Sequence, residues 1–412
     1  MAETEEDMDE IFSAKDALLK SIAAYSDNDP GTARYFWERL RAEDTHGNEP
    51  GLASAYTKLG DTAYRHLDYI TAGDSYLQAL QLYEELQDYG SAGLICHYMS
   101  FVAERSKQSI NPKEWLMKAI DLRERASDNP GASASYNQLA NILYKEGNLD
   151  SAEHWYRKSL DIDLQLADEA SIAKTYHNLS AVAKEKKDIS TAELLLLESL
   201  KIKKSLNDNA GIAIGYHQLG VLAEAGGSLQ SAVEWYKHSI DINTSINNLY
   251  GVGKSQWNIS LIFRSQGDTD AANKWAELSA KSLSKTRSTN ALLQIGCKAY
   301  EIEEYDFANR IFQEALHYAQ ENEKADEQGR CYLHLGSVAV QCNKLDSAAT
   351  CYLSALENFK AIGDVDHTAI CCQNLGNIYL TEAKFNSDYA NKAQEWFREA
   401  EAIRNSDPEH LN

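Results

Sequence analysis

The sequence repeats itself at intervals of 40 residues, and this repeat restricts the fold more than any other feature of the chain. The segments that begin at Gly131, Ser171 and Gly211 each carry a tyrosine five residues later and a leucine eight residues later. The same spacing continues in both directions, with one shorter step of 36 residues and a five-residue insertion around residues 386–389. A unit of this length cannot bury its apolar face alone, so its copies must stack side by side. We therefore expect one array of stacked units rather than two or three globular domains.

Three columns of small residues run through the repeat and predict where two helices approach each other closely. The first column reads Gly60, Ser100, Ala140, Ser180, Gly220, Ser260, Gly296, Gly336 and Gly376. The second column, twelve residues further on, is alanine in every unit except the one that contains Pro112. The third, after another seven residues, is always alanine or serine. Because nine units keep this register, the sequence predicts nine repeats between residues 51 and 405.

Each unit contains two helical segments separated by a turn. Around residue 140, the apolar residues at 136, 139, 140 and 143 follow the spacing of one helix face, and residues 152, 156 and 159 do the same in the second segment. Gly147 in the turn can adopt the positive φ that ends a helix, and we expect Asp150 or Ser151 to cap the next one. A second break is predicted at residues 127–131, because Pro130 lacks an N–H donor.

This pattern resembles the tetratricopeptide repeat, whose signature W-x2-L-G-x2-Y, A-x3-F and A carries small residues in three columns. The resemblance covers residues 51 to about 405 and implies an all-α fold, a right-handed α-α superhelix in which first helices line a concave groove. The unit has 40 residues rather than the usual 34. In this it is similar to the repeats of kinesin light chain, of spindle-orientation adaptors and of many bacterial regulators.

The two ends of the chain depart from the repeat. Residues 1–10 are predicted to be an acidic, disordered tail, and residues 11–50 a degenerate helix pair that caps the array. Residues 406–412 form a C-terminal tail too short for another helix. A solenoid end with no modified cap exposes apolar surface. We therefore expect the C-terminal end to be able to dock a partner or a second copy of the chain.

The resemblance also predicts a binding surface. If the small column is position 8, helical spacing places positions 2, 5, 6, 9, 12 and 13 of the first helix on the groove side. Position 6 is an amide in six of nine units. An amide offers N–H donors and an oxygen acceptor, which suits it to the N–H and C=O groups of an extended peptide. The predicted contacts are Gln138, Asn141, His177, Asn178, His217, Gln218, Trp257, Asn258, Leu261 and Gln294. Hydrogen bonding of these amides to neighbouring helices or to water is the alternative.

Trp257 is the strongest single contact candidate. Five of the seven tryptophans recur at one position of the second helix, which indicates a structural role. Trp257 instead falls at position 5, on the groove side, and tryptophan is enriched at binding hot spots. We therefore expect Trp257 to be exposed and to contribute to binding rather than to folding.

The sequence shows no sign of catalysis, of a metal or of a cofactor. HExxH, GxSxG, Walker and GxGxxG motifs are absent from it. His177 and His217 occupy equivalent positions in neighbouring units, but stacked helix pairs lie about 10 Å apart, too far for a shared metal. The seven cysteines form no CxxC pair and match no zinc spacing, so most are expected to be small buried hydrophobes. We expect a protein that is not an enzyme.

Charge restricts the partner. A net charge of -22 argues against nucleic acid, whose phosphates attract clustered lysine and arginine. It is compatible with a protein partner that has a basic segment, and the alternative is that the charge only keeps a long, open surface soluble. The apolar groove positions favour an apolar segment. Lys174, Lys254 and Arg330 at position 2 add some positive charge at the rim. The sequence contains no apolar run long enough to span a bilayer, and its acidic N-terminus differs from a secretory signal, so we expect a cytoplasmic protein with no membrane partner.

Three functions remain open on the sequence alone. The first is an adaptor that holds a peptide or protein segment in the groove. The second is a regulatory sensor whose superhelix changes pitch when a signalling peptide or effector binds and which controls a separate output protein. The third is a self-assembling structural scaffold. We rank them in that order.

Overall fold

The computed structural model of the chain describes residues 49–106, 111–383 and 388–405, together with Lys20 and Ala23. The predicted tails at 1–10 and 406–412 and nearly all of the predicted N-terminal pair at 11–50 lie outside these residues, as does most of the insertion near 386. The described residues form no strand and eighteen helices. These are α1 Glu49–Arg65, α2 Tyr69–Glu85, α3 Tyr89–Arg105, α4 Pro112–Arg125, α5 Asn129–Lys145, α6 Leu149–Leu166, α7 Glu169–Glu185, α8 Ile189–Ser205, α9 Asn209–Ala225, α10 Leu229–Ser245, α11 Leu249–Ser265, α12 Thr269–Ser284, α13 Thr289–Glu301, α14 Tyr305–Glu321, α15 Ala325–Gln341, α16 Leu345–Ile362, α17 Val365–Glu382 and α18 Asp388–Asn405.

The helices form antiparallel pairs, one per repeat, and the pairs fall into two compact units. Unit 1 (Met1–Asn207) contains the described pairs α1/α2 to α7/α8, and unit 2 (Asp208–Asn412) contains α9/α10 to α17/α18. Within each unit, the second helix of most pairs packs on the first helix of the next. The predicted all-α helical-repeat fold is therefore confirmed.

Short turns of one kind join most of these helices. A residue with positive φ, such as Leu67 at 64° or Gln87 at 57°, reverses the chain and is followed by the N-cap of the next helix. Eight of the twelve N-caps whose side chain accepts a backbone N–H in the described helices are aspartates, and the Asp68 carboxylate, for example, accepts the N–H of Thr71 at 3.0 Å. Such caps satisfy backbone donors that a helix start leaves unpaired. Part of the negative net charge therefore comes from aspartates that cap helices.

One predicted cap was wrong. The turn after α5 does contain Gly147 with a φ of 78°, but Asn148 rather than Asp150 or Ser151 caps α6. The Asn148 side chain accepts the N–H of Ser151 at 3.3 Å. α6 begins at Leu149, directly after Gly147 and the cap Asn148, so Asp150 lies inside its first turn. The predicted break at 127–131 is confirmed, since α4 ends at Arg125 and α5 begins at Asn129.

The first small column lies where the two helices of a pair touch. A Cβ added to Gly60 would lie 2.5 Å from the Tyr76 ring, and one added to Gly220 would lie 2.6 Å from the Tyr236 ring. The aromatic ring stands sixteen residues after the glycine in both pairs. Where the column is serine, the residue sixteen further on is Leu116, Leu196 or Ala276 instead. In eight of the nine repeats the two positions therefore compensate for each other in volume, as close packing requires; the exception is Ala140, which faces Tyr156.

Of the four serines of the third column, Ser159 donates to Asp163 within its own helix, and the other three bind the backbone of the facing helix. Their buried hydroxyls donate to a carbonyl oxygen 26 residues earlier in the chain. The bonds run from Ser199 to Ala173 at 2.6 Å, from Ser239 to Ala213 at 2.9 Å and from Ser279 to Gly253 at 2.8 Å. A hydroxyl can reach a helical carbonyl only across a close contact, so this column has the structural role that its size predicted.

The cysteines are free, and four of the seven are buried. Burial raises the pKa of the Cys96, Cys331 and Cys371 thiols to about 12 and that of Cys372 to about 11. A thiol with so high a pKa carries almost no thiolate at neutral pH and is a poor nucleophile. These four cysteines act as the small buried hydrophobes that the sequence predicted.

Candidate functional site

Position 5 of the first helix is buried in five of the nine repeats, contrary to the prediction from helical spacing. His97, Asn137, His217, Trp257 and Leu293 occupy this position, and all are buried. Several of these side chains bond to position 3 of the next first helix. The pairs are His97 with Ser135 at 3.2 Å and Asn137 with Thr175 at 3.0 Å in unit 1, and His217 with Ser255 at 3.0 Å in unit 2. Spacing within one helix cannot show which of its sides a neighbouring repeat will cover. In these repeats the neighbouring first helix covers the side that carries position 5.

Trp257 is the clearest correction. Its side chain is only 1% exposed, so it is a core residue and not the exposed contact that the sequence predicted. The indole stacks on Phe307 with ring centroids 5.2 Å apart and shares a core cluster with Ala276. Ala276 stands where five other repeats carry an aromatic ring against a glycine, so a large side chain from the first helix has room there. The indole Nε1 is buried with no hydrogen-bond partner.

Positions 2, 6 and 9 of the first helices are half-buried or exposed in every described repeat, and within each unit we call this surface the first-helix face. In unit 1 it carries Gln138 and Asn141. Gln138 donates to Glu104 at 2.9 Å, while Asn141 donates to Gln138 at 3.4 Å and accepts from the Tyr156 hydroxyl at 2.5 Å. Both amides are therefore largely engaged within unit 1.

Asn178 is the outer end of a buried polar relay in unit 1. Its amide donates to Asn137 at 3.3 Å, Asn137 donates to Thr175 at 3.0 Å, and Thr175 donates to Asp163 at 3.4 Å. Asp163 is 3% exposed, and burial raises the pKa of its carboxyl despite hydroxyl hydrogen bonds that act in the opposite direction. The relay thus connects the first-helix face to a carboxyl in the interior.

His177 also lies at position 5 but is only half-buried. Its Nδ1 is buried with no hydrogen-bond partner. Burial, with a smaller contribution from Lys203, lowers the pKa of His177 to about 4. The ring is therefore neutral at pH 7, and in the described part of the chain it contributes an unpaired polar atom rather than a charge.

In unit 2 the predicted residues His217 and Asn258 meet around Tyr236. The Asn258 amide donates to the Tyr236 hydroxyl at 3.0 Å, and that hydroxyl donates to Glu224 at 2.9 Å. The His217 ring packs on Tyr236 with centroids 5.2 Å apart. Burial, with smaller effects of Lys254 and Lys298, lowers the pKa of His217 to about 3, so this imidazole is neutral at pH 7.

The remaining predicted residues of unit 2 differ in what they can still bind. Gln218 is half-buried, and its side chain makes no hydrogen bond within the described residues. Gln294 is exposed, and its oxygen accepts from the Tyr250 hydroxyl. Leu261 is half-buried against the core cluster that contains Trp257. Gln218 is therefore the amide of this face with the most unused hydrogen-bonding capacity.

Sequence reasoning placed Lys254 at the rim beside these amides but missed Lys298, which interacts with it. Tyr250 and Gln294 are hydrogen-bonded across α11 and α13, and Lys254 and Lys298 each lie one turn further along the same two helices. Neither lysine forms an ion pair within the described residues. Burial lowers the pKa of Lys254, and Lys298 adds to that effect. The equal spacing of 44 residues in the two pairs was the available signal.

Some further sites can be assessed within the described residues. There, no three histidine, cysteine or acidic residues come together in a way that could hold a metal ion. The Cys297 thiol lies 3.7 Å from His334 Nε2, but burial raises the pKa of Cys297 and lowers that of His334. Neither group is activated by the other. Among the described helices, none is long and apolar enough to cross a membrane.

In a comparison with known proteins, one family model matches part of the chain. Residues 113–165 and 131–205 match the family model described as tetratricopeptide repeat. None of the curated proteins matches the chain significantly. The apo form of RapI aligns with 13% identity and a TM-score of 0.47 over 65% of this chain and 97% of that one. Aspartyl phosphate phosphatase F from Bacillus subtilis aligns with 10% identity and a TM-score of 0.45 over 98% and 95%. A putative kinesin light chain from Podosopora anserina with nearly identical TPR-like repeats aligns with 18% identity and a TM-score of 0.40 over 46% and 94%.

Proposed function

We propose that this chain, a tetratricopeptide-repeat protein and hence a protein-interaction repeat module, is non-catalytic and binds a peptide or protein segment on the first-helix face. The proposal keeps the adaptor function that the sequence favoured. It changes the residues on which binding depends, because Trp257 and His217 are core residues.

The half-buried amide of Gln218 carries this proposal. Its N–H and C=O groups make no hydrogen bond within the described residues and are not buried, so a ligand can reach them. Asn258, at the same position of the next first helix, uses its amide N–H for Tyr236. Its oxygen makes no hydrogen bond there.

The chemistry of these two amides suits the backbone of a bound segment. Gln218 can donate and accept, and the Asn258 oxygen can accept an N–H. An extended peptide presents one N–H and one C=O per residue that need partners once it leaves water. Half-buried Leu261 adds apolar contact on the same face, which favours a segment with apolar side chains.

The test compares two double variants in a quantitative affinity pull-down from the native host. In Gln218→Ala/Asn258→Ala the amides are removed from the first-helix face. In the matched control Gln230→Ala/Gln313→Ala, two exposed amides are removed from second helices of the same unit. We expect a specific protein to be recovered with wild type and with the control, and to be lost with the first variant. Equal recovery with all three proteins would show that binding does not use this face.

A stability measurement distinguishes a loss of binding from a loss of folding in the Gln218→Ala/Asn258→Ala variant. Gln218 makes no internal hydrogen bond and Asn258 makes one, so the first variant should lose only about 1 kcal/mol of unfolding free energy. Circular dichroism and denaturant unfolding would show this. A large loss of helix content would mean that the amides are structural, and the binding proposal would then fail.

The relay from Asn178 to Asp163 favours a sensor as the second candidate function. A bound segment that took over the Asn178 amide would remove the first hydrogen bond of a chain that crosses the contact between two repeats. Small-angle scattering with and without the captured partner tests this candidate. Identical scattering profiles of the repeat protein in both states would leave the adaptor as the function. The scaffold function stays a prediction, for which mass should depend on protein concentration.

A further inference from the structure

The shorter repeat step creates a groove between second helices in unit 2. α13 begins at position 1 of its repeat, whereas α11 and α15 begin four residues earlier in theirs. The 36-residue step therefore lacks four residues, and these correspond to the first turn of α13. Because α13 lacks that turn, it makes few contacts with α12, and a groove of about 700 Å³ lies between α12 and α14.

The groove has an apolar floor. The buried residues Ala280 of α12 and Ile311 of α14 line it together with half-buried Tyr318. The Arg287 guanidinium lies 5.8 Å from the centroid of the Tyr318 ring. Apolar surface bordered by a few charged groups is typical of sites that hold a peptide.

The charge of the groove is opposite to that of the chain. Four cations line it, Lys281, Lys285, Arg287 and Arg310, against the carboxylates Glu277 and Glu314. The protein as a whole has a net charge of -22. The groove is therefore a local positive region on an acidic molecule.

Most of the other charges around the groove are already paired. Glu277 forms an ion pair with Arg310. Glu321, just beyond the groove, lies 3.0 Å from Arg287 and 3.4 Å from the His317 ring. Glu314 is the one lining carboxylate with no ion pair within the described residues.

Lys281 and Lys285 supply the uncompensated charge. Both side chains are exposed, and neither forms an ion pair within the described residues. Lys281 lies in the last turn of α12 and Lys285 is the C-cap residue that follows it, four residues further on. Like charges at this spacing destabilise a helix end by about 0.2–0.5 kcal/mol. An anion between them would offset this repulsion.

We propose that this groove binds an extended acidic segment of a partner protein, at a surface separate from the first-helix face. Lysines one helical turn apart are separated by about 6 Å along the axis. Carboxylates on every second residue of an extended peptide recur at about 6.6 Å. Such a segment can place successive acidic side chains against Lys281 and Lys285, while the residues between them face Ala280 and Ile311.

The test measures fluorescence anisotropy of a fluorescein-labelled peptide of five Glu-Ser repeats with the full chain. We expect saturable binding to wild type, although the chain and the peptide are both acidic. The variant Lys281→Glu/Lys285→Glu should raise Kd by about tenfold or more, because two attractions become repulsions. The matched control Lys201→Glu/Lys237→Glu makes the same change of charge on exposed second-helix positions and should alter Kd less than about twofold.

Four results would overturn the proposal. The first is the absence of saturable binding to wild type. The second is an equal loss in both double variants, which would indicate net charge rather than the groove. The third is a loss only in Lys254→Glu/Lys298→Glu, which would place the peptide on the first-helix face. The fourth is displacement by inorganic phosphate at the peptide's own concentration, which would indicate a simple anion site.

Discussion

Replacing Trp257 by alanine tests the assignment of this side chain to the core. Because the indole is 1% exposed and stacked on Phe307, its removal leaves a cavity between α11 and α14. Truncating a buried aromatic residue to alanine costs about 3–5 kcal/mol. An exposed contact residue would instead change the free energy of unfolding by less than about 0.5 kcal/mol.

A second substitution separates the ring from its N–H group. The buried indole Nε1 has no partner, and an unsatisfied buried donor costs about 1–3 kcal/mol. Trp257→Phe removes this donor, keeps an aromatic ring and loses some contact area. We therefore expect the two effects to nearly cancel, with a net change of about 1 kcal/mol or less.

Hydrogen exchange is the suitable assay, because repeat proteins unfold in parts and each part depends on its neighbours. Trp257→Ala should lower protection most in α11, α13 and α14, and Trp257→Phe should leave it almost unchanged. The control Trp275→Ala removes a half-buried tryptophan of the same repeat and should cost about half as much as Trp257→Ala. If Trp257→Ala kept wild-type protection but lost partner binding, the ring would be an exposed contact residue and not part of the core.

The other predictions concern the helix contact and the response to acid. Gly220→Leu should unfold or strongly destabilise its repeat, because even a Cβ would lie 2.6 Å from the Tyr236 ring. The double variant Gly220→Ser/Tyr236→Leu copies Ser180 and Leu196 and should keep near-native helix content by circular dichroism. Equal loss of helix content in both variants would refute the volume compensation. For His217 the folded pKa of about 3 lies below the ordinary 6.5, so its contribution to stability is complete above pH 6.5 and is lost as pH falls towards 3, at about 1.4 kcal/mol per pH unit. Between pH 7 and pH 5, His217→Gln should therefore lose about 2 kcal/mol less than wild type in denaturant unfolding, and equal losses would show that His217 is not buried in the neutral form.

Much of the fold could be read from single positions in the sequence. The small columns predicted close helix contacts because size alone decides how near two helices can come, and Gly220 and Ser239 both lie at such contacts. The candidate site was less predictable. Gln218 and Asn258 lie on the expected face, but nothing in the sequence showed that Gln138 would be bound to Glu104 while Gln218 would have no partner.

The sequence by itself determined the helices and the close contacts within each pair, because these depend on local spacing: apolar residues along one helix face and small residues at fixed intervals. Only the tertiary structure decided which flank of each first helix is buried, since that depends on where the neighbouring repeat lies. In it Trp257 lies in the core with Ala276, and Lys254 lies near Lys298. The helical turn that is missing before Thr289 leaves a groove between α12 and α14. These features join residues from different helices, so no periodicity within one helix could have contained them.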